Sequence, residues 1–173
     1  VLRHLRCLTQ TLSFMQRTGH PRLSASSISS RGNRLAIQLF PDSLDDRIVL
    51  GGFRAEIRMQ KGMIAEEVQP RMAPAYFGPE SAEGGVCAVL GAGNVSSIGL
   101  QDVLHKIFSE NRACVLKTNP VNAYLAPLYQ RAFAAAEEAD FFQVLSGDGQ
   151  VGADLVHHPQ VDEVHMTGST AVH

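Results

Sequence analysis

One stretch of the sequence, residues 85–117, restricts the possible fold more than any other. It begins with a short apolar run, Val86–Leu90, which has the length of a buried strand. A turn containing Gly91 and Gly93 follows, then apolar residues at helical spacing, and a second apolar run at residues 113–116. Strand, glycine turn, helix and strand in about thirty residues form a βαβ unit. The sequence therefore predicts two parallel strands joined by a helix.

The same alternation of strands and helices continues to the end of the sequence. The later segments are a long helical stretch, a third strand, a short helix and a fourth strand, at Val121–Ala139, Phe141–Leu145, Gly149–His157 and Val164–Met166. This order predicts an α/β fold with an open, parallel, Rossmann-like sheet covered by helices on both faces. Ligands of such sheets bind beyond the carboxyl ends of the strands. Asn94, Lys117, residues 147–152 and residues 167–169 fall at that edge.

Residues 1–84 have a different pattern and are predicted to form a separate N-terminal part. Apolar residues at helical spacing predict a helix over residues 5–15, stopped at Gly19–Pro21. Leu35–Phe40 reads as a strand ended by Pro41, and residues 53–59 alternate as a half-buried antiparallel strand does. A connector rich in proline and glycine then leads from residue 60 to residue 84. The predicted division is therefore 1–84 and 85–173.

The N-terminal segment has a composition that allows two interpretations. Residues 1–41 contain no Asp or Glu but several arginines and a serine cluster, which is typical of an organelle transit peptide. The alternative, which we favour, is an amphipathic surface helix followed by a loop. Because the sequence starts with Val1 and stops just after a strand and turn pattern, we interpret it as part of a longer chain.

Overall composition limits the classes of function. A formal net charge of −2 argues against general nucleic-acid or membrane-surface binding, and no apolar run approaches the length of a membrane span. Three cysteines without regular spacing do not form a disulfide framework, so we expect a reduced, cytoplasmic setting. The histidines near the C-terminal end lack the spacing of a metal site, and none is predicted.

The glycine turn after the first strand suits a phosphate or another anion. The ordinary dinucleotide fingerprint G-x-G-x-x-G is not met, however, because Ser96 stands at the third glycine position. An acidic residue is also expected near the end of the next strand, where it would bind ribose hydroxyls. That strand ends in Lys117, and the next acid is Glu137.

Four features together resemble another family of nucleotide-dependent enzymes. They are Asn94 in the turn, the segment Lys117-Thr118-Asn119-Pro120, the glycine-rich segment at residues 147–152, and HPQVDEVHMTGS at residues 158–169. This combination resembles the cofactor domain of the aldehyde dehydrogenase superfamily over residues 84–173, in a divergent branch. The resemblance implies that 85–173 is an NAD(P)-binding domain, incomplete at its C-terminal end.

The resemblance also implies roles for individual residues. Asn94 would donate its side-chain amide to the oxyanion, and Lys117 would bind ribose hydroxyls or a 2′-phosphate. Gly149 and Gly152 would lie close to the adenosine, and Thr167, Gly168 and Ser169 would end a strand with the serine on the pyrophosphate. Alternatives remain for each: a turn asparagine, a solvated lysine, turn glycines and a helix N-cap.

The cofactor prediction depends on one departure from the family pattern. The family's ribose-binding glutamate falls on Pro120, so the group that favours NAD over NADP is absent. The cofactor is therefore predicted to be NADP or NAD, with NADP favoured.

The resembled chemistry also needs a cysteine nucleophile and a glutamate base. In the family both come after the TGS segment, and Cys7, Cys87 and Cys114 are unsuited to the role. Three functions stay open: an aldehyde dehydrogenase seen in its cofactor half and inactive alone, an acyl-CoA or activated-acyl reductase, and a non-catalytic nucleotide-binding protein. The first implies a small-molecule aldehyde substrate and leaves a homo-oligomer open for the full-length protein.

Overall fold

The computed structural model describes residues 2–21, 23–72, 74–77 and 84–168. These residues belong to two compact units, one within Arg3–Phe77 and one within Gly78–His173, with which Leu2 is grouped. The first unit contains an antiparallel sheet and the second a parallel sheet.

The first unit combines helices with a three-stranded antiparallel sheet of order β1-β2-β3. Its elements are α1 (Leu2–Thr18), β1 (Ile28–Arg31), β2 (Arg34–Phe40), α2 (Leu44–Val49), β3 (Ala55–Arg58) and α3 (Ala65–Met72), with short 3-10 turns at Ala25–Ser27 and Pro74–Tyr76. The predicted helix over residues 5–15 and the strand at Leu35–Phe40 are confirmed. Gly19 ends α1 as predicted, because its φ of 79° lets its N–H reach the Met15 carbonyl at 2.8 Å.

The strand predicted at residues 53–59 is present as β3, but the prediction of half burial was wrong. All four residues of β3 are exposed, and Ile57 keeps 48% of its surface in solvent. The charged face is stabilised by ion pairs instead, since Glu56 contacts Arg31 at 3.5 Å and Arg58 at 2.9 Å. The alternation of apolar and charged residues therefore indicated the strand correctly but not its environment.

The second unit is built on a four-stranded sheet of order β6-β5-β4-β7, in which every neighbouring pair is parallel. Its elements are β4 (Val86–Leu90), α4 (Ile98–Glu110), β5 (Ala113–Lys117), a 3-10 segment (Pro120–Leu125), α5 (Ala126–Ala132), α6 (Ala134–Glu138), β6 (Phe142–Leu145), α7 (Gly149–Val156) and β7 (Glu163–Met166). The predicted α/β fold with a parallel, Rossmann-like sheet flanked by helices is confirmed.

A buried core holds α4, α5 and the sheet of this unit together. Its buried members are Cys87, Val89, Val103, Cys114, Leu116, Ala126, Phe142 and Val144. Because parallel strands are buried on both faces, their sequences are continuous apolar runs rather than alternating ones. This is why the strands could be predicted from the sequence.

The long helix predicted at Val121–Ala139 is helical but not continuous. It divides into the 3-10 segment, α5 and α6. Phe133 separates the two α-helices with φ −112° and ψ 20°, and its ring packs against Phe142 with centroids 5.3 Å apart. The break therefore brings an aromatic side chain onto the core, where a straight helix was predicted from the alanine-rich composition.

No helix in the described part of the chain is both long enough and apolar enough to cross a membrane. The described residues also contain no group of three or more His, Cys, Asp or Glu side chains placed to hold a metal ion. The predicted division at residues 84 and 85, the cytoplasmic location and the homo-oligomer stay predictions.

Candidate functional site

A cavity of about 920 Å³ lies at the carboxyl ends of the parallel strands in the second unit. The strand register explains its position, because Leu90 pairs with both Lys117 and Met166, so that three strands end at one level. Of the predicted site residues, the cavity is lined by Asn94, Lys117, Gly149, Gly152, Thr167 and Gly168. Ser169 lies outside the described residues.

Lys117, the last residue of β5, supplies the cationic group of this cavity. The residue is only 7% exposed, so it is not an ordinary solvated lysine. Its aliphatic chain passes Gly152, where an added Cβ would lie 3.9 Å from Lys117 Cδ and Cε. No hydrogen bond or ion pair engages its ammonium group within the described residues. Because this cationic residue lines the cavity without an acidic partner among the described residues, its position favours an anionic or hydroxyl-rich ligand.

The turn that carries Asn94 is held by residues that follow β5. The Gly91 N–H donates to the Lys117 carbonyl at 2.9 Å. Asn122, which is buried, donates its side-chain amide to the carbonyls of Ala92 at 2.9 Å and Gly93 at 3.3 Å. Asn94 itself is exposed at the end of this braced turn. Its side chain is therefore open to a ligand while its backbone is fixed from behind.

Asn119 explains why a glycine precedes Asn94. A Cβ on Gly93 would lie 3.0 Å from the Asn119 side chain, too close without a shift. Asn119 in turn accepts a hydrogen bond from the Val121 N–H at 3.1 Å and begins the 3-10 segment. We did not predict Asn119 or Asn122 as site residues. The Asn-Pro pair is a helix-start signal, but nothing local in the sequence indicates the contact with Gly93.

The N-terminal end of α7 is capped by its own chain. The Asp148 carboxylate accepts from the backbone N–H groups of Gln150 at 3.0 Å and Val151 at 3.3 Å. These amides, which could otherwise hold a phosphate, therefore already have an anionic partner. Gly149 has open space where a side chain would be, and Gly152 lies on Lys117. The geometry favours close packing of a ligand on Gly149 over phosphate binding at this helix end.

Comparison with known proteins assigns this unit to a family. The model of the aldehyde dehydrogenase family matches residues 83–173, just over half of the 173-residue chain. The chain belongs to the aldehyde dehydrogenase family. The resemblance predicted for residues 84–173 is thus confirmed. No curated protein and no solved structure matched the chain.

Membership of the aldehyde dehydrogenase family suggests an oxidoreductase that acts on aldehydes, and the family generally uses NAD(P). The two cysteines of this unit do not supply the family's nucleophile in the described structure. Cys87 and Cys114 are buried partners in register on β4 and β5, and neither lines the cavity. A hydrogen bond with Cys87 and burial raise the pKa of the Cys114 thiol, which disfavours the reactive thiolate. Cys7 belongs to the other unit.

Proposed function

We propose that residues 85–173 form the cofactor-binding domain of an NAD(P)-dependent oxidoreductase that converts an aldehyde to a carboxylic acid. The observation that carries this proposal is the charge distribution in the cavity. Among the described lining residues, Lys117 is the only Lys, Arg, Asp or Glu. The volume also lies in the upper part of the range of about 300–1,000 Å³ that is usual for ligand pockets. An anionic dinucleotide fits a large cavity whose one fixed charge is positive.

The preference proposed within this function is for NADP over NAD. NADP differs by a 2′-phosphate, and selectivity for NAD normally comes from a carboxylate that binds the ribose hydroxyls and repels that phosphate. Pro120 stands where the family has its glutamate, and no acidic residue lines the described cavity. Lys117 would therefore meet the 2′-phosphate without competition from a neighbouring carboxylate.

The residues of this domain would contribute binding and electrostatics to the reaction. Lys117 would hold the ribose or its phosphate, and Gly149, which has open space where a side chain would be, would let the adenosine approach closely. Asn94 would donate its amide N–H to the oxygen that becomes negative when the aldehyde carbonyl is attacked. The cofactor, when bound, would accept the hydride. Ser169, from the resemblance, would bind the pyrophosphate.

Calorimetric titration of the chain with NADP⁺ and with NAD⁺ tests this proposal. We expect NADP⁺ to bind more tightly. Lys117→Met should weaken NADP⁺ by about 10- to 150-fold, the equivalent of one charge-assisted hydrogen bond of about 1.5–3 kcal/mol. Lys61→Met makes the same substitution at an exposed lysine of the other unit and should change neither affinity.

Two results would count against the proposal. NAD⁺ binding tenfold tighter than NADP⁺ would refute the cofactor preference. Binding of neither nucleotide by the wild-type chain, with its fold verified by circular dichroism, would refute the assignment of the cavity itself. Titration with 2′,5′-ADP and 5′-AMP tests the cofactor preference separately from the assignment of the cavity. These two ligands differ only in the 2′-phosphate that Lys117 is proposed to bind.

A further inference from the structure

Helix α4 and strand β7 are joined by a row of polar contacts that the catalytic scheme does not use. Asp102 and Lys106 lie one turn apart on α4, and Glu163 and His165 lie two positions apart on β7, so each pair shares a face. Lys106 is paired with Glu163, and Asp102 with His165. The row thus joins α4 and β7 at two points.

The two contacts differ in their distance along the strand from the cavity. Glu163 is the first residue of β7. Its partner Lys106 also donates a hydrogen bond from Nζ to Glu110 Oε2 at 2.7 Å. Asp102 lies at the other end, where its Oδ2 accepts a hydrogen bond from Thr167 Oγ1 at 2.9 Å. Thr167 lines the cavity, whereas Asp102 and Glu163 do not. One contact is therefore remote from the cavity and the other reaches its wall.

Both carboxylate oxygens of Asp102 are engaged by β7 and the residue that follows it. Oδ2 accepts from Thr167, and Oδ1 lies 3.5 Å from His165 Nε2. The Asp102 side chain is 18% exposed, whereas Thr167 is an exposed residue, so the bond lies at the surface of the unit. A hydrogen bond to an ionised acceptor is stronger than a neutral one. Asp102 therefore links the Thr167 hydroxyl, at the point where β7 ends, to α4.

We propose that Asp102 is a positioning residue for nucleotide binding: from outside the cavity, it holds the Thr167–Gly168 wall in the conformation that the nucleotide contacts. This inference rests on the proposed function. Preorganisation raises affinity because the ligand does not have to order the wall when it binds. Asp102 thus acts through Thr167 and touches no ligand.

A double-mutant cycle with NADP⁺ titration tests this inference. Asp102→Ala should weaken NADP⁺ by about three- to tenfold, the usual cost of ordering one side chain on binding. Asp102→Asn keeps an oxygen that can accept from Thr167 and should restore affinity to within about twofold of wild type. In a Thr167→Val background, Asp102→Ala should have no further effect, because the group through which it acts is gone.

Glu163→Gln provides the matched control. It disrupts the other contact of the same row and should lower thermal stability while leaving the affinity for NADP⁺ unchanged. The inference is overturned if Asp102→Ala keeps wild-type affinity, if it weakens binding equally in the Thr167→Val background, or if Glu163→Gln weakens binding as much.

Hydrogen exchange without nucleotide gives a readout independent of the proposed function. Asp102→Ala should speed amide exchange at residues 166–168, and Glu163→Gln should not. If the wild-type chain binds no nucleotide, the proposed function fails, and the exchange experiment still decides whether Asp102 orders the Thr167–Gly168 wall. Unchanged exchange at residues 166–168 in Asp102→Ala would refute it.

Discussion

Replacement of Asn122 by alanine should destabilise the second unit by loosening the turn before Asn94. The buried Asn122 amide makes two hydrogen bonds, to Ala92 O at 2.9 Å and Gly93 O at 3.3 Å. A neutral hydrogen bond contributes about 0.5–1.5 kcal/mol net, so the loss of two predicts a decrease of about 1–3 kcal/mol in the free energy of unfolding. The longer second bond places the expected value in the lower half of that range.

Two further asparagine variants make this prediction specific. Asn122→Asp keeps the size of the side chain but places a carboxylate against two carbonyl oxygens, so it should destabilise more than alanine. Asn94→Ala removes an exposed side chain from the same turn, one without a hydrogen bond in the described structure, and should stay within about 0.5 kcal/mol of wild type.

Urea unfolding followed by far-ultraviolet circular dichroism measures these differences. The expected order of stability is wild type and Asn94→Ala, then Asn122→Ala, then Asn122→Asp. Equal stability of Asn122→Ala and Asn94→Ala would refute the assigned hydrogen bonds. Asn122→Asp as stable as wild type would show that the side chain faces donors rather than carbonyl groups.

Two further predictions concern stability. Phe142→Ala should cost about 3–5 kcal/mol in urea unfolding, because the ring is 1% exposed and packs on Phe133; a loss below about 1 kcal/mol would contradict this packing. Burial alone would raise the pKa of Glu110. Hydrogen bonds and charge interactions with Lys106 and His105 outweigh burial and lower this pKa below its ordinary value of 4.5. The stabilisation from this carboxylate should therefore be present above pH 4.5 and decrease as the pH falls through the lower folded-state pKa. Glu110→Gln should reduce the acid dependence of the unfolding free energy, and an unchanged dependence would argue against the assignment.

The parallel sheet and the edge that carries the candidate site were predictable from sequence because both follow from local patterns. Continuous apolar runs such as Val86–Leu90 are what a strand buried on both faces requires. Once the strands are parallel, residues at their carboxyl ends, such as Lys117 at the end of β5 and Thr167 just after β7, must meet at one edge. The candidate site was therefore located by topology, without knowledge of side-chain contacts.

The supporting residues of the site could not be predicted in this way. The hydrogen bond from Thr167 to Asp102 joins residues 65 positions apart, and that from Asn122 to Ala92 joins residues 30 positions apart. Neither depends on local periodicity. The burial of Lys117 also results from packing against Gly152. The exposure of β3 is a tertiary property too, since the same alternation fits a strand in solvent or on a core.

The strand order β6-β5-β4-β7 has a consequence for which loops control ligand binding. From β4 the chain adds strands on one side, β5 and then β6, and afterwards returns to place β7 on the other side. β4 is thus a topological switch point, where the connections after neighbouring strands diverge and open a crevice. Residues after β4, β5 and β7 line the cavity, as does Gly149 at the start of α7, whereas Ser146 and Gly147 after β6 do not. If the cavity binds the proposed cofactor, we expect variation in the loops after β4 and β7 to change its selectivity directly, and variation at Ser146, which does not line the cavity, to have less effect.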